Sequence, residues 1–306
     1  MSLTKLSLNG LTNRSAMNLL GAGELFTTGN VFYVDSNIGS DGNVGDDPSF
    51  PKATIDGAVN ACTADKGDII VVMPKHVETV SAAGGLSLDV DGITVIGLGS
   101  GDNRPQINFT TAVGADVNID GNSVTVVNIL FTGGIDALTG PIDINGDDVT
   151  LVGCEYRDVT GQATDVMIIT GDRTTISDYK HDGAAAAGGE SAIQITGTAD
   201  TKITNFRIDG NFATGAIESV TTANTDLHIT DGFIRNRNSA DIAIALQATD
   251  TGDIGPNLYI RLADDAANIT ECISVSNDCQ LFDPIYVANA DAERGLQYNG
   301  TASSDA

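Results

Sequence analysis

Tryptophan is absent from this chain of 306 residues, and aromatic side chains make up only 5% of it. Sugar sites stack pyranose rings on flat aromatic faces, so the composition offers little material for one. Basic residues are also scarce: 15 Lys and Arg stand against 41 Asp and Glu, a formal net charge of −26. Phosphate backbones are held mainly by Lys and Arg, so no nucleic acid is expected among the partners. Four cysteines, Cys62, Cys154, Cys272 and Cys279, lack CxxC spacing and sit in apolar settings. That pattern suits buried thiols and predicts neither a metal site nor a disulfide framework, leaving only a Cys272–Cys279 bridge open.

Long apolar runs are missing too. No window approaches the roughly 18 to 20 apolar residues that cross a bilayer, so no membrane partner is expected. Asn9, Asn13, Arg14 and Ser15 interrupt every candidate apolar core of a signal peptide, which predicts a protein made and kept in a cytosol.

What is present is enough apolar material, 41% of residues, for one large core or two modest ones. It recurs in a pattern. The stretch 120-DGNSVTVVNILFTGG-134 is a turn, a β-branched strand and another turn, and 91-DGITVIGLGSG-101 and 146-GDDVTLVGCEYRDVTG-161 repeat the plan. Aligned on a central polar residue, the strands give Thr94, Thr125, Thr150, Thr175, Thr204 and His228, with gaps of 31, 25, 25, 29 and 24. Self-similarity of that period marks a solenoid, and the near absence of two-residue hairpin signals argues against a β-sandwich. The predicted fold is all-β, a right-handed parallel β-helix with coils about 4.8 Å apart. Ile93, Val95, Val124, Val126, Val149, Leu151, Ile203, Phe206, Leu227 and Ile229 would stack in columns inside it.

Around this body three segments stand out. Residues 1–30 have no sustained period, yet Leu6, Leu8, Leu11, Leu19 and Leu20 are more apolar than a solvated tail requires, so they read as an extended N-terminal arm that grips a partner; a loose terminus is the alternative. In 54-TIDGAVNACTA-64, Ile55, Ala58, Val59 and Cys62 form the stripe of a short amphipathic helix, placed to cap the first coil. The β-helix is expected over 31–245, and 246–306 reads as a C-terminal cap or oligomerisation segment.

Chemistry has few candidates. Asp35, Asp41, Asn43, Asp46 and Asp47 supply the oxygen ligands of a possible Ca²⁺ loop, although the spacing is not that of an EF-hand and the flanks read as strand. An ordinary acidic turn is the competing reading. Paired carboxylates for glycoside cleavage would be Asp89 with Asp91, Asp147 with Asp148, or Asp165 with Asp172; adjacent Asp residues also form coil corners, and that explanation is preferred. Tyr156, Tyr179, Phe206, Phe212 and Phe233 read as core or ladder members. His76, His181 and His228 lack metal-ligand spacing, and GLGSG at 97–101 is not followed by a helix, so no dinucleotide site is expected. No enzymatic activity and no cofactor other than Ca²⁺ is expected.

The segment 32-FYVDSNIGSDGNVGDDPSFPKATIDGAVNACTADKGDIIVVMPKHVETV-80 is similar to the N-terminal cap of pectin-lyase-like β-helix proteins. More closely, it resembles a group of tailed-bacteriophage virion proteins encoded among the head genes, as do 257-NLYIRLADDAANITECI-273 and 283-DPIYV-287. The resemblance implies a capsid decoration or cement protein on the outer head surface. It would be a homotrimer bound to the major capsid protein through the 1–30 arm and made in the host cytoplasm. A tailspike-like protein that binds or cleaves host polysaccharide is the alternative; the scarce aromatics and the lack of a distinct acid pair favour decoration.

Overall fold

In each repeat, alternate residues face inward and outward, and a parallel partner one coil away repeats the choice. That rule builds the whole computed structural model, which describes residues 27–186, 188–238, 242–263, 272–275, 278–288 and 294–295. Leu6, Leu8, Leu11, Leu19 and Leu20 lie outside the described residues. The chain forms an all-β parallel β-solenoid of about 8 turns with almost no helix.

Three strand ladders make up its walls. In the first, Phe32, Ile70, Val95, Val126, Leu151, Ile176, Ile203, Ile229, Ile254 and Leu281 stand in register and point inward. In the second, the inward column is Glu78, Ile107, Phe131, Tyr156, His181, Ile208, Ile234, Ile260 and Val287. The third runs Leu86, Val117, Ile142, Met167, Ile193, Ile217, Ile244 and Ile273. A single coil cannot bury such a stripe alone; stacking makes one continuous core.

The corners explain the Gly, Asn and Asp content. Between the first and second ladders one residue per coil turns the chain: Asn128, Gly153, Asp178, Asn205, Asp231 and Asn257, all with φ between 51° and 65°. Gly accepts this left-handed geometry without a Cβ penalty, and Asn and Asp accept it best among the other residues. Asn257 Nδ2 then donates to Asp231 Oδ1 of the preceding coil at 2.8 Å. A second left-handed column, Gly92, Ser123, Asp148, Arg173, Asp200 and Asp226, enters the first ladder.

Three features differ from the reading of the sequence. Lys202, not Thr204, continues the outward column of Thr94, Thr125, Thr150 and Thr175, and His228 follows Lys202. The slip is two residues, so which side chains face inward is unchanged. The repeat also does not stop at 245: Gly252–Ile254 and Cys279–Leu281 extend the first ladder, and Leu258–Arg261 and Ile285–Ala288 the second. The amphipathic helix, α1, spans only Ile55–Val59. Asn60 ends it by turning its side-chain amide back onto Asp56 O at 2.9 Å. Ile55, Ala58 and Val59 are buried, and Cys62 packs against the same core from beyond the helix.

Candidate functional site

The acidic loop over 35–47 ties Asp35, Asp41, Asn43 and Asp47 to its own backbone and to residues 49–54. Asp41 Oδ1 accepts from Ala53 N at 2.9 Å and Thr54 N at 3.1 Å, and Asp41 Oδ2 from Thr54 Oγ1 at 3.0 Å. Thr54 in turn caps α1 through Gly57 N at 2.9 Å. Asp35 accepts from Asn37 N, Asp47 from Ser49 N, and Asn43 Nδ2 donates to Pro51 O. These are the bonds of turn and cap formers. A buried relay anchors the loop: Ser36 N donates to His76 Nδ1 at 3.0 Å, which leaves the proton on Nε2 to reach Glu78 Oε2 at 3.2 Å. Glu78 Oε2 also accepts from Ile55 N, the first N–H of α1, at 2.8 Å.

One member of each acid pair that resembled catalytic carboxylates, Asp91, Asp147 or Asp172, joins a corner ladder instead. Asp91 Oδ1 accepts from Asn122 N at 2.7 Å, Asn122 Oδ1 from Asp147 N at 2.9 Å, Asp147 Oδ1 from Asp172 N at 2.9 Å, and Asp172 Oδ1 from Ala199 N at 2.8 Å. Asp147 and Asp148 both grip Arg173, and hydrogen bonding to that guanidinium holds the Asp148 carboxyl below its ordinary value. Asp165 is buried and accepts from Ser191 Oγ at 2.9 Å. The sequence paired it with Asp172, whereas its electrostatic neighbour is Glu218, whose carboxyl is raised by burial and then by the Asp165 charge. Asp165 and Glu218 are both nearly covered, so neither is placed to meet a polymer.

Among the described residues one group of acids and imidazole brings ligand atoms within 4.8 Å of one another: Asp200, Asp226 and His228. His228 faces outward, as its place in the repeat predicts, between Asp226 and Asp253 at 3.4 Å each. Lys202 Nζ lies 2.9 Å from Asp200 Oδ1 and already pairs with that carboxylate.

The outer surface of the second ladder carries two buried carboxylates, Glu155 and Asp209, each held by more than one cation. Glu155 is buried against Arg104, with Arg157 Nε at 2.6 Å and Lys180 Nζ at 2.8 Å. Burial pushes its carboxyl up, but hydrogen bonds from Arg157, Lys180 and Arg104 outweigh that and hold it at about 2. Asp209 holds Arg235 and Arg237 in the same way two coils on. Tyr156, Tyr179, Phe206 and Phe212 are core members and Phe233 is an outward, half-buried member of the second ladder, within the expectation.

Within the wall, His181 replaces an apolar residue in the inward column. It stacks on Tyr156 at 5.3 Å and meets the edge of Phe212 at 5.4 Å. A cavity of about 10 Å³ beside it has room for one water at most. Burial pushes the imidazole down to about 3 from an ordinary 6.5. Its folded pKa is depressed, so the stability it permits is complete above pH 6.5 and is lost as pH falls toward 3. His181→Phe should therefore lose less unfolding free energy than the parent between pH 7 and pH 4, by up to about 3 kcal/mol. Asp158, raised by burial, acts in the opposite direction but is common to both proteins. Denaturant titrations at the two pH values give the difference, and equal losses would place the imidazole in contact with solvent.

No described helix is long and apolar enough to cross a membrane. No family model, curated protein or solved structure matches the chain.

Proposed function

We propose that the chain is a non-enzymatic virion protein of a tailed bacteriophage, a decoration or cement protein on the outer surface of the head. The observation that carries this reading is the corner ladder. Asp91, Asp147 and Asp172, one from each acid pair that the sequence offered for glycan chemistry, are engaged by the N–H groups of the next coil, so they hold coils together. In this reading the solenoid winds right-handed, with α1 covering its first coil, and serves as a rigid block rather than a catalytic scaffold. The major capsid protein is the partner, gripped by the 1–30 arm with Leu6, Leu8, Leu11, Leu19 and Leu20 buried on it. Three copies assemble as a closed ring, so three weak arm contacts act as one, with an avidity gain on the order of 10² or more. The formal charge of −26 favours an external position, because packaged DNA of the same sign would repel the chain inside the head.

The arm supplies the test. A chain beginning at Asn30 should fold with an unchanged circular dichroism spectrum and melting point, and should fail to bind particles stripped of the protein. Full-occupancy binding by the truncated chain would overturn the attachment mode. Release of reducing ends from host surface polysaccharide would favour the tailspike reading instead.

A further inference from the structure

The outward positions of the second ladder bring several arginines together with two of the exposed aromatics of this acidic chain. Arg207, Phe233, Tyr259 and Tyr286 follow one another along one outward column, with Arg235 and Arg261 in the neighbouring column. The Arg207 guanidinium lies 4.6 Å from the Phe233 ring centre. Tyr259 and Tyr286 stack on each other at 4.8 Å and 15°, yet remain 51% and 44% exposed, so water still covers much of two large side chains. Arg207 and Arg261 are exposed beside them. Tyr, Phe and Arg gathered on one open face is the composition of an interface centre.

We infer that this face is a self-association surface that docks on the acidic corner of a second copy of this chain. That corner, which enters the first ladder, exposes Asp147, Asp148, Asp200 and Asp226 by 44%, 48%, 39% and 69%, enough for a partner to reach all four. Charge decides the occupant. Two copies of a chain at −26 repel each other over most orientations. Arg235 is already held by Asp209, and Arg173 and Lys202 already meet Asp147, Asp148 and Asp200, so the attraction comes from Arg207 and Arg261 approaching a corner whose four carboxylates outnumber its two cations. A saccharide fits less well, because each tyrosine ring already covers one face of the other. The contact joins two different surfaces, so it repeats head to tail, and it closes as the proposed trimer when each copy is turned by a third of a full rotation from the last.

This inference rests on the self-association included in the proposed function, and light scattering after gel filtration of the full chain tests it. The parent should elute at a multiple of 31.5 kDa and dissociate as salt is raised. Tyr259→Ala with Tyr286→Ala, and separately Arg207→Glu with Arg261→Glu, should weaken assembly by about 30-fold or more, leaving folded monomers at concentrations where the parent is assembled. Asp226→Lys should act in the same direction from the other side of the contact. Face variants that keep the parent mass, a monomeric parent, or a parent that binds polygalacturonate through Tyr259 would each overturn the assignment. Particle binding is scored separately: monomeric variants that still decorate particles leave the head-surface reading standing, while an assembled parent that binds no particle removes that reading and leaves this one.

Discussion

Leu151→Asp is expected to abolish soluble expression. Leu151 is fully buried between Val126 and Ile176, in register with both. Truncating a buried leucine costs about 2–5 kcal/mol, and an unpaired carboxylate in the same column adds a desolvation cost of several more. Coils contact mainly their neighbours, so the lesion cuts the stack in two where no other element bridges it. Two controls separate packing from chemistry. Leu151→Met keeps the volume and should cost less than about 1.5 kcal/mol. Thr150→Asp, one residue away but outward between Thr125 and Thr175, should stay within about 1 kcal/mol of the parent. Yield and thermal melts check the three variants together; a soluble Leu151→Asp protein with the parent melting point would show that this side chain does not point inward.

Glu155→Ala should cost about 3–5 kcal/mol, because it leaves the Arg104 guanidinium, only 9% exposed, buried without its carboxylate. The loss should be unequal between the partners. Arg104→Met leaves Glu155 with Arg157 and Lys180 and should cost less, and Arg104→Met with Glu155→Met should recover much of the deficit. The pH dependence carries the same sign: a carboxyl held at about 2, against an ordinary 4.5, gives stability that is complete above pH 4.5 and lost as pH falls toward 2. Glu155→Gln should lack that portion of acid sensitivity. Denaturant midpoints at pH 7 and pH 3 measure both effects. Equal costs for Glu155→Ala and Arg104→Met would contradict the arrangement.

The walls were legible because strands such as VTV, VTL and TTI repeat both the alternation and the turn residues that precede them. Every interior residue named from the sequence, from Ile93 to Ile229, is buried. The two-residue slip at Lys202 was not legible, since KIT and ITN alternate equally well; the corner residue Asn205, opposite Asp178, fixes the register. The last coils were missed because GDI and CQL are short and carry few β-branched residues, and they are recognised as strands only by the ladder they join. The charged wall was hidden for a different reason. EYRD reads as a surface strand, and Glu155 becomes a buried hub only through Arg104, 51 positions away, and Lys180, 25 positions away. The candidate Ca²⁺ loop looked like a ligand set because Asp and Asn oxygens that cap turns have the same composition as those that bind cations. The contrast between Phe233 and Phe206 was also beyond reach, because both belong to long strands whose parity is set by register.

Cryo-electron microscopy of the intact particle tests the central claim most directly. Threefold clusters of β-solenoid density are expected on the outside of the head, each joined to the major capsid protein by extended segments, with the Tyr259 and Tyr286 face turned toward a neighbouring copy. Density for the same solenoid at the tail tip, inside the shell, or nowhere on the particle would contradict it.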